Sequence, residues 1–122
     1  WYGDGAWEQL HWTKHSERPS VVGEFGGVQF HVRGHSYGSF GWGYGQVAPR
    51  DCTMLADKLS ALWRRVANLS GLAAFVYTQL TDVEAEWNGL LTYDRHTKCG
   101  EALVRRVASE TSVARRRQMG YT

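Results

Sequence analysis

The sequence predicts an α/β fold in which parallel strands alternate with helices. Two short apolar runs, residues 21–25 and 72–80, have the length and the β-branched and aromatic side chains of strands. Each run is followed further along the chain by a segment whose apolar residues recur at helical spacing. Two parallel strands need neighbouring strands and cover on both faces. We therefore expect the 122-residue chain to be a fragment of a larger domain.

The first strand follows Pro19 and is expected to end at Glu24 or Phe25, after a short helix over residues 7–15. Asp51 or Thr53 is expected to cap a helix. That helix has one apolar face, and Gly71 is predicted to end it in a left-handed conformation. The members of this face are Leu55, Leu59, Leu62, Val66 and Leu69.

The second strand covers residues 72–80, and residues 101–118 read as the last helix. In that helix Leu103 and Val107 face inward, and Val104 is a third candidate for the buried face.

Composition excludes some function classes. The chain is 43% hydrophobic, which suffices for a core, and its formal charge of +2 is too small to indicate a nucleic-acid partner. The longest apolar run, Leu72 to Tyr77, is far shorter than the ~20 residues of a membrane helix. We expect no nucleic acid, no membrane and no cofactor as partners, and the sequence leaves the localisation open.

The cysteines and histidines give no metal or redox signature. Cys52 and Cys99 have neither the spacing of a metal knuckle nor that of a redox pair, and both are predicted to be free thiols. Two histidine pairs have a spacing of four, which suits a shared metal only on a helix. These pairs are His11 with His15 and His31 with His35, and the second lies in a glycine-rich stretch. We predict no metal site.

Residues 26–49 form a long connection that carries seven of the fourteen glycines. It also carries an unusual number of aromatic residues: Phe30, Tyr37, Phe40, Trp42 and Tyr44. Loops of this length inside a compact domain are commonly functional. The segment is thus a candidate active-site loop, and Trp42 is a candidate substrate-binding residue.

Glu24 is the first candidate for chemistry. It ends a buried strand on a charge, and catalytic groups of α/β barrels sit at the C-terminal ends of strands. Gly26 and Gly27 then leave room for a ligand to approach the backbone. The alternative is that Glu24 only begins a solvated loop.

A second polar group follows the second strand. Carboxylates and amides bind sugar hydroxyls, and an aromatic plane covers the apolar face of a pyranose. The alternative is that the three acidic residues of this group alternate along an exposed edge. The group consists of Gln79, Asp82, Glu84, Glu86, Trp87 and Asn88.

The stretches VVGEFGG, GWGYG and FVYTQLTDVEAEWNGLLTYDR carry a family resemblance. Together, over roughly residues 19–98, they resemble the C-terminal part of the catalytic barrel of glycoside hydrolase family 2. That family includes β-galactosidases, β-glucuronidases and β-mannosidases. The resemblance implies a (β/α)8 TIM barrel, of which residues 1–122 supply strands seven and eight with their helices.

The resemblance also implies a retaining hydrolase of β-glycosides, active in carbohydrate metabolism, with Glu24 as the catalytic nucleophile. The polar group after the second strand matches residues that line or buttress the sugar site, while Trp87 replaces a smaller residue. In the family the acid/base residue ends strand four. We therefore expect the remainder of the barrel upstream and an isolated chain without activity.

Two other interpretations stay open. The aromatic residues suit a noncatalytic carbohydrate-binding module, which would be a self-contained antiparallel sandwich in which Glu24 is incidental. The chain is alternatively an inactive truncated product. Parallel strands with Glu24 at a C-terminal strand end favour the hydrolase over the binding module.

Overall fold

The computed structural model of the chain describes residues 18–44, 47–69 and 71–118, with side chains up to residue 110. In this part of the chain, four elements follow one another: strand β1 (Ser20–Gly26), helix α1 (Cys52–Ala67), strand β2 (Leu72–Thr78) and helix α2 (Glu101–Gln118). β1 and β2 form a parallel two-stranded sheet. The chain is thus mixed α/β, and the helix predicted over residues 7–15 lies outside the described residues.

An irregularity in β1 decides which way Glu24 points. Val22 pairs with Phe75 and Phe25 pairs with Tyr77, so three steps along β1 match two steps along β2. In a regular strand, residues three apart face opposite sides. The register shift lets Val22 and Phe25 both turn into the core, and it leaves Glu24 exposed.

Helix α1 begins as predicted, because the Asp51 side chain accepts a hydrogen bond from the Met54 backbone N–H at 2.8 Å. Its end differs from the prediction. Asn68 is the C-cap, and the Leu69 N–H donates to Val66 O, which turns the chain after the helix. Gly71 has the predicted positive φ of 75° but lies beyond the helix, directly before β2.

The core lies between the sheet and the two helices. Phe25 is fully buried and makes edge-to-face contacts with Trp63 at 5.0 Å and Tyr77 at 5.5 Å, measured between ring centroids. Of the predicted helix faces, these residues are buried: Leu55, Leu59, Val66, Leu103 and Val107. The predicted faces are therefore confirmed at these positions, and Leu62 and Leu69 pack against them partly buried.

Strand β2 ends earlier than the predicted residue 80. After Thr78 the chain leaves the strand, because the Gln79 N–H donates to Asn88 O and the Leu90 N–H donates to Gln79 O. The peptide bond between Thr78 and Gln79 is cis. No helix among the described residues is both long and apolar enough to cross a membrane.

The prediction of free thiols is wrong. Cys52 and Cys99 form a disulfide that connects the first residue of α1 to the segment just before α2. The two cysteines are 47 residues apart in sequence, but α1 and α2 pack side by side with an ion pair of 2.7 Å between Arg106 and Asp57. The packing of the helices brings the two cysteines together at a Cα distance of 5.5 Å.

Removal of this disulfide is expected to destabilise the chain. Closing a loop of this length in the unfolded state corresponds to about 4 kcal/mol by chain entropy, with about 2–4 kcal/mol usual in practice. We expect the Cys52→Ser/Cys99→Ser double variant to lose about that much free energy of unfolding in urea titrations. Equal midpoints for the double variant and the oxidised wild type would contradict the bridge.

Candidate functional site

The candidate site lies where the two strands end. Gly26 pairs with Thr78, and the Gly27 N–H donates to Thr78 O at 2.7 Å, so both C-terminal strand ends lie at one edge of the sheet. The Thr78 hydroxyl donates to Glu24 Oε1 at 2.9 Å. This hydrogen bond fixes the Glu24 carboxylate between the two strands, on the face of the sheet opposite the helices.

Three of the predicted binding residues form one chain of hydrogen bonds. Gln79 Nε2 donates to Asn88 Oδ1 at 2.8 Å, and Asn88 Nδ2 donates to Glu86 Oε1 at 2.8 Å. Asn88 is fully buried, whereas Gln79 and Glu86 are half-buried. The buried amide thus orients two side chains that are still accessible to a ligand.

The other predicted binding residues differ in exposure. Glu84 is exposed, in a turn where its φ is 49°, and Trp42 is also exposed. Asp82 and Trp87 are buried. Glu84 and Trp42 are therefore accessible to a ligand, whereas Asp82 and Trp87 are placed to support the residues that line the site.

Trp87 holds residues 31–41 of the long loop in place. Its ring stacks on His31 with centroids 4.4 Å apart, and its Nε1–H donates to Tyr37 O at 3.3 Å. Gly41 packs so closely on the ring that any Cβ there would overlap it. Because only 5% of Trp87 is exposed, the indole is better placed to shape the loop than to stack on a sugar.

Backbone hydrogen bonds attach the same loop to the segment after β2. The Trp42 N–H donates to Ala85 O, and the Trp87 N–H donates to Trp42 O, both at 2.8 Å. Closer to β1, the Tyr44 N–H donates to Gly27 O at 2.6 Å. Residues 27–44 of the loop therefore form a wall at the strand ends.

A buried ion pair lies beneath this wall. Lys98 Nζ donates to Asp82 Oδ1 at 2.7 Å, and both side chains are completely buried. The same ammonium donates to Phe30 O at 2.8 Å and to Trp87 O at 3.1 Å. Burial lowers the pKa of Lys98, while Asp82 opposes that shift by favouring the charged ammonium.

The two carboxylate oxygens of Asp82 differ in their hydrogen bonds. Its Oδ1 accepts a second hydrogen bond from the Gly89 N–H at 2.8 Å, while Oδ2 has no hydrogen-bond partner within the described residues. A carboxylate of this kind depends on its cation, because a buried charge without a partner is costly.

The space beside Gly26 is occupied by the protein itself. Gly26 has a φ of 106°, and a Cβ at this position would overlap the Tyr77 ring. The expectation that this glycine leaves room for a ligand is therefore wrong. Tyr77 donates to Asn88 O at 3.3 Å, and burial, aided by the charge of Asp82, raises the pKa of this phenol.

Sequence reasoning missed two residues of the site. Thr78 lies inside the quoted motif but bears no feature that marks a partner of Glu24, since only the parallel register places it there. Lys98 is a single lysine in a polar stretch, and such residues are usually solvated. Neither contact was available from residue type or spacing.

Comparison with known proteins assigns no family. No protein-family model matches the chain, and no curated protein sequence matches it.

The buried ion pair predicts a large effect of one substitution. Lys98→Met leaves the Asp82 carboxylate buried without its cation, and we expect a loss of about 3–5 kcal/mol in the free energy of unfolding. Adding Asp82→Asn should recover part of this loss because the buried charge is removed. Urea titration followed by tryptophan fluorescence measures both variants.

The control is Lys58→Met, since Lys58 is only half-buried and, among the residues that the structure describes, donates to one exposed partner, Val47 O. We expect this control to cost about 1 kcal/mol. Equal losses for Lys58→Met and Lys98→Met would show that the buried pair is not special.

Proposed function

We propose that this chain is part of a retaining glycoside hydrolase that acts on β-glycosides, with Glu24 as the nucleophile. One observation carries the proposal: Glu24 lies near the C-terminal end of a strand in a parallel pair, and Thr78 from the neighbouring strand holds its carboxylate. A rigid strand can keep a carboxylate within bonding distance of an anomeric carbon far better than a free loop can.

The chemistry requires two carboxyl groups about 5–5.5 Å apart. Glu24 attacks the anomeric carbon and forms a glycosyl ester, while a carboxylic acid protonates the departing glycosidic oxygen. That acid, now a carboxylate, takes a proton from water, and the water oxygen displaces Glu24 from the sugar. We assign only the nucleophile to this chain, and the acid/base residue to another strand of the barrel.

Residues near the strand ends suit the recognition of a sugar. Gln79 and Glu86 are half-buried and oriented by Asn88, which is the arrangement that hydrogen bonds to hydroxyl groups need. Trp42 and Glu84 are exposed and complete the set of candidate contacts. Asp82 and Trp87 act as supports, since both are buried.

The exposed face of the sheet supports the barrel arrangement. Val21 and Val76 are about half exposed, at 51% and 53%, on strands whose other face is covered by helices. In a TIM barrel one face of each strand packs under the helices and the other fills the interior. β1 and β2 then correspond to strands seven and eight, and further strands cover Val21 and Val76.

A carbohydrate-binding module is the second candidate because the loop exposes several aromatic side chains. Phe40 is 89% exposed, and Tyr37 and Trp42 are about half exposed. Such side chains form sugar-binding platforms. The parallel pairing of β1 with β2 favours the hydrolase, since the binding module was expected to be an antiparallel sandwich.

The test uses nitrophenyl β-glycosides and the full polypeptide that contains this chain. We expect Glu24→Ala to lower kcat/KM by about 10³-fold or more, as loss of a nucleophile does. Azide should restore turnover, because it fits where the carboxylate was and displaces nitrophenolate directly. A single displacement inverts the configuration, so the product should be the α-glycosyl azide.

Glu101→Ala is the control, since Glu101 is an exposed carboxylate at the start of α2 and should leave activity unchanged. A β-glycosyl azide would assign Glu24 as the acid/base instead. Sugar binding that survives Glu24→Ala without any hydrolysis by the wild type, and that is lost on Trp42→Ala, would favour the binding module.

A further inference from the structure

A cluster of three potential metal ligands lies on the long loop and the turn after the candidate site. His35, Asp94 and His96 each offer one donor atom, and these atoms all lie within 4.8 Å of one another. His35 Nδ1 is 2.7 Å from Asp94 Oδ2, and His96 Nε2 is 3.6 Å from the same oxygen. The centroids of the two imidazole rings are 5.0 Å apart, with 68° between the ring planes, and one nitrogen of each ring lies within 3.6 Å of the same carboxylate oxygen.

The local backbone holds these side chains in position. The Tyr93 N–H donates to His35 O at 3.2 Å, which joins the loop to the turn, and the Thr92 N–H donates to His96 O at 2.8 Å, which closes the turn. Thr92, which is buried, donates from its hydroxyl to Asp94 Oδ1 at 2.6 Å. That bond occupies one carboxylate oxygen and directs the other toward both histidines, as outer-shell partners of metal ligands do.

We propose that His35, Asp94 and His96 bind a divalent transition-metal ion of the Zn²⁺ class. Tetrahedral Zn²⁺ with bonds of about 2.0–2.1 Å places its donors about 3.3 Å apart. The observed distances from Asp94 Oδ2, 2.7 Å and 3.6 Å, lie on either side of that value. Small side-chain rotations therefore convert the hydrogen-bonded cluster into a coordination site.

The donor set decides the class of ion. Two imidazoles and one carboxylate suit Zn²⁺, Ni²⁺ or Cu²⁺, whereas Mg²⁺ and Ca²⁺ prefer sets made of oxygen alone. The ion takes the place of the hydrogen between His35 Nδ1 and Asp94, and the neutral imidazole then carries its hydrogen on Nε2, which leaves Nδ1 as the ligand atom. Because the three residues are exposed or half-buried, water completes the coordination.

A metal at this position has a structural consequence. His35 belongs to the loop of residues 26–49, and the other two ligands belong to the turn that follows residues 79–92. The ion would connect these two segments at their outer ends, where exposed side chains and one backbone bond now join them. This inference does not depend on the glycosidase proposal, because none of the three residues belongs to the predicted sugar site.

Zn²⁺ titration of the full polypeptide that contains this chain, with the disulfide formed and followed by calorimetry, tests the proposal. We expect a site in the micromolar range or tighter that loses at least 10-fold in affinity in His35→Ala and in His96→Ala. The matched control is His31→Gln, because His31 lies on the same loop but stacks on Trp87 outside the cluster. This control should bind Zn²⁺ as the wild type does.

A second measurement needs no variant. In the wild-type chain with ¹⁵N-labelled histidines, Zn²⁺ should shift the imidazole resonances of His35 and His96 and leave those of His31 in place. Failure of the wild type to bind Zn²⁺ below about 100 µM overturns the proposal. Equal binding by His35→Ala, His96→Ala and His31→Gln, or shifts confined to other histidines, would also overturn it.

Discussion

The buried pair of Lys98 and Asp82 is the interaction on which the arrangement of the two loops depends. An ammonium group has three hydrogens, and those of Lys98 are donated to the Asp82 carboxylate and to the carbonyls of Phe30 and Trp87. Complete hydrogen bonding of this kind is what makes a buried charge tolerable. Because Phe30 lies in one loop and Trp87 in the other, this ammonium adds a buried connection to the backbone hydrogen bonds that join the two segments.

Cys99 and Gly100, which follow Lys98 in sequence, connect the buried ion pair to the two helices. Cys99 is bonded to Cys52 at the start of α1, and both Cys99 and Gly100 have left-handed φ values, 57° and 78°. This sharp change of direction lets α2 begin at Glu101. Residues 98–100 are thus bonded to the loops through Lys98 and to helix α1 through Cys99. The candidate site and the core are therefore connected through the same three residues.

The sequence predicted the elements better than it predicted their contacts. Helical spacing identified the buried faces around Leu59 and Val107, because periodicity depends only on local geometry. The disulfide was missed because two cysteines 47 residues apart carry no signal of proximity. The contacts of Trp87 with His31 and Gly41 were not predicted either, because both neighbours come from a segment far away in sequence.

The orientation of Glu24 shows why a strand pattern alone does not define a site. Strict alternation would place Glu24 on the same face as Val22 and would turn Phe25 away from the helices. The register shift reverses both, since burial of the Phe25 ring against Trp63 outweighs regular pairing over one residue. The carboxylate therefore reaches the open face as a consequence of how the core packs.

That open face also limits what Glu24 can do by itself. Glu24 is exposed on the same face as half-exposed Val21 and Val76, and water that reaches a carboxylate weakens its control over the position of a substrate and the charge of a transition state. Additional strands over this face would cover the two valines and exclude water from the carboxylate at the same time. The apolar surface that additional strands would bury is therefore the same surface that the proposed glycosidase chemistry would need to enclose.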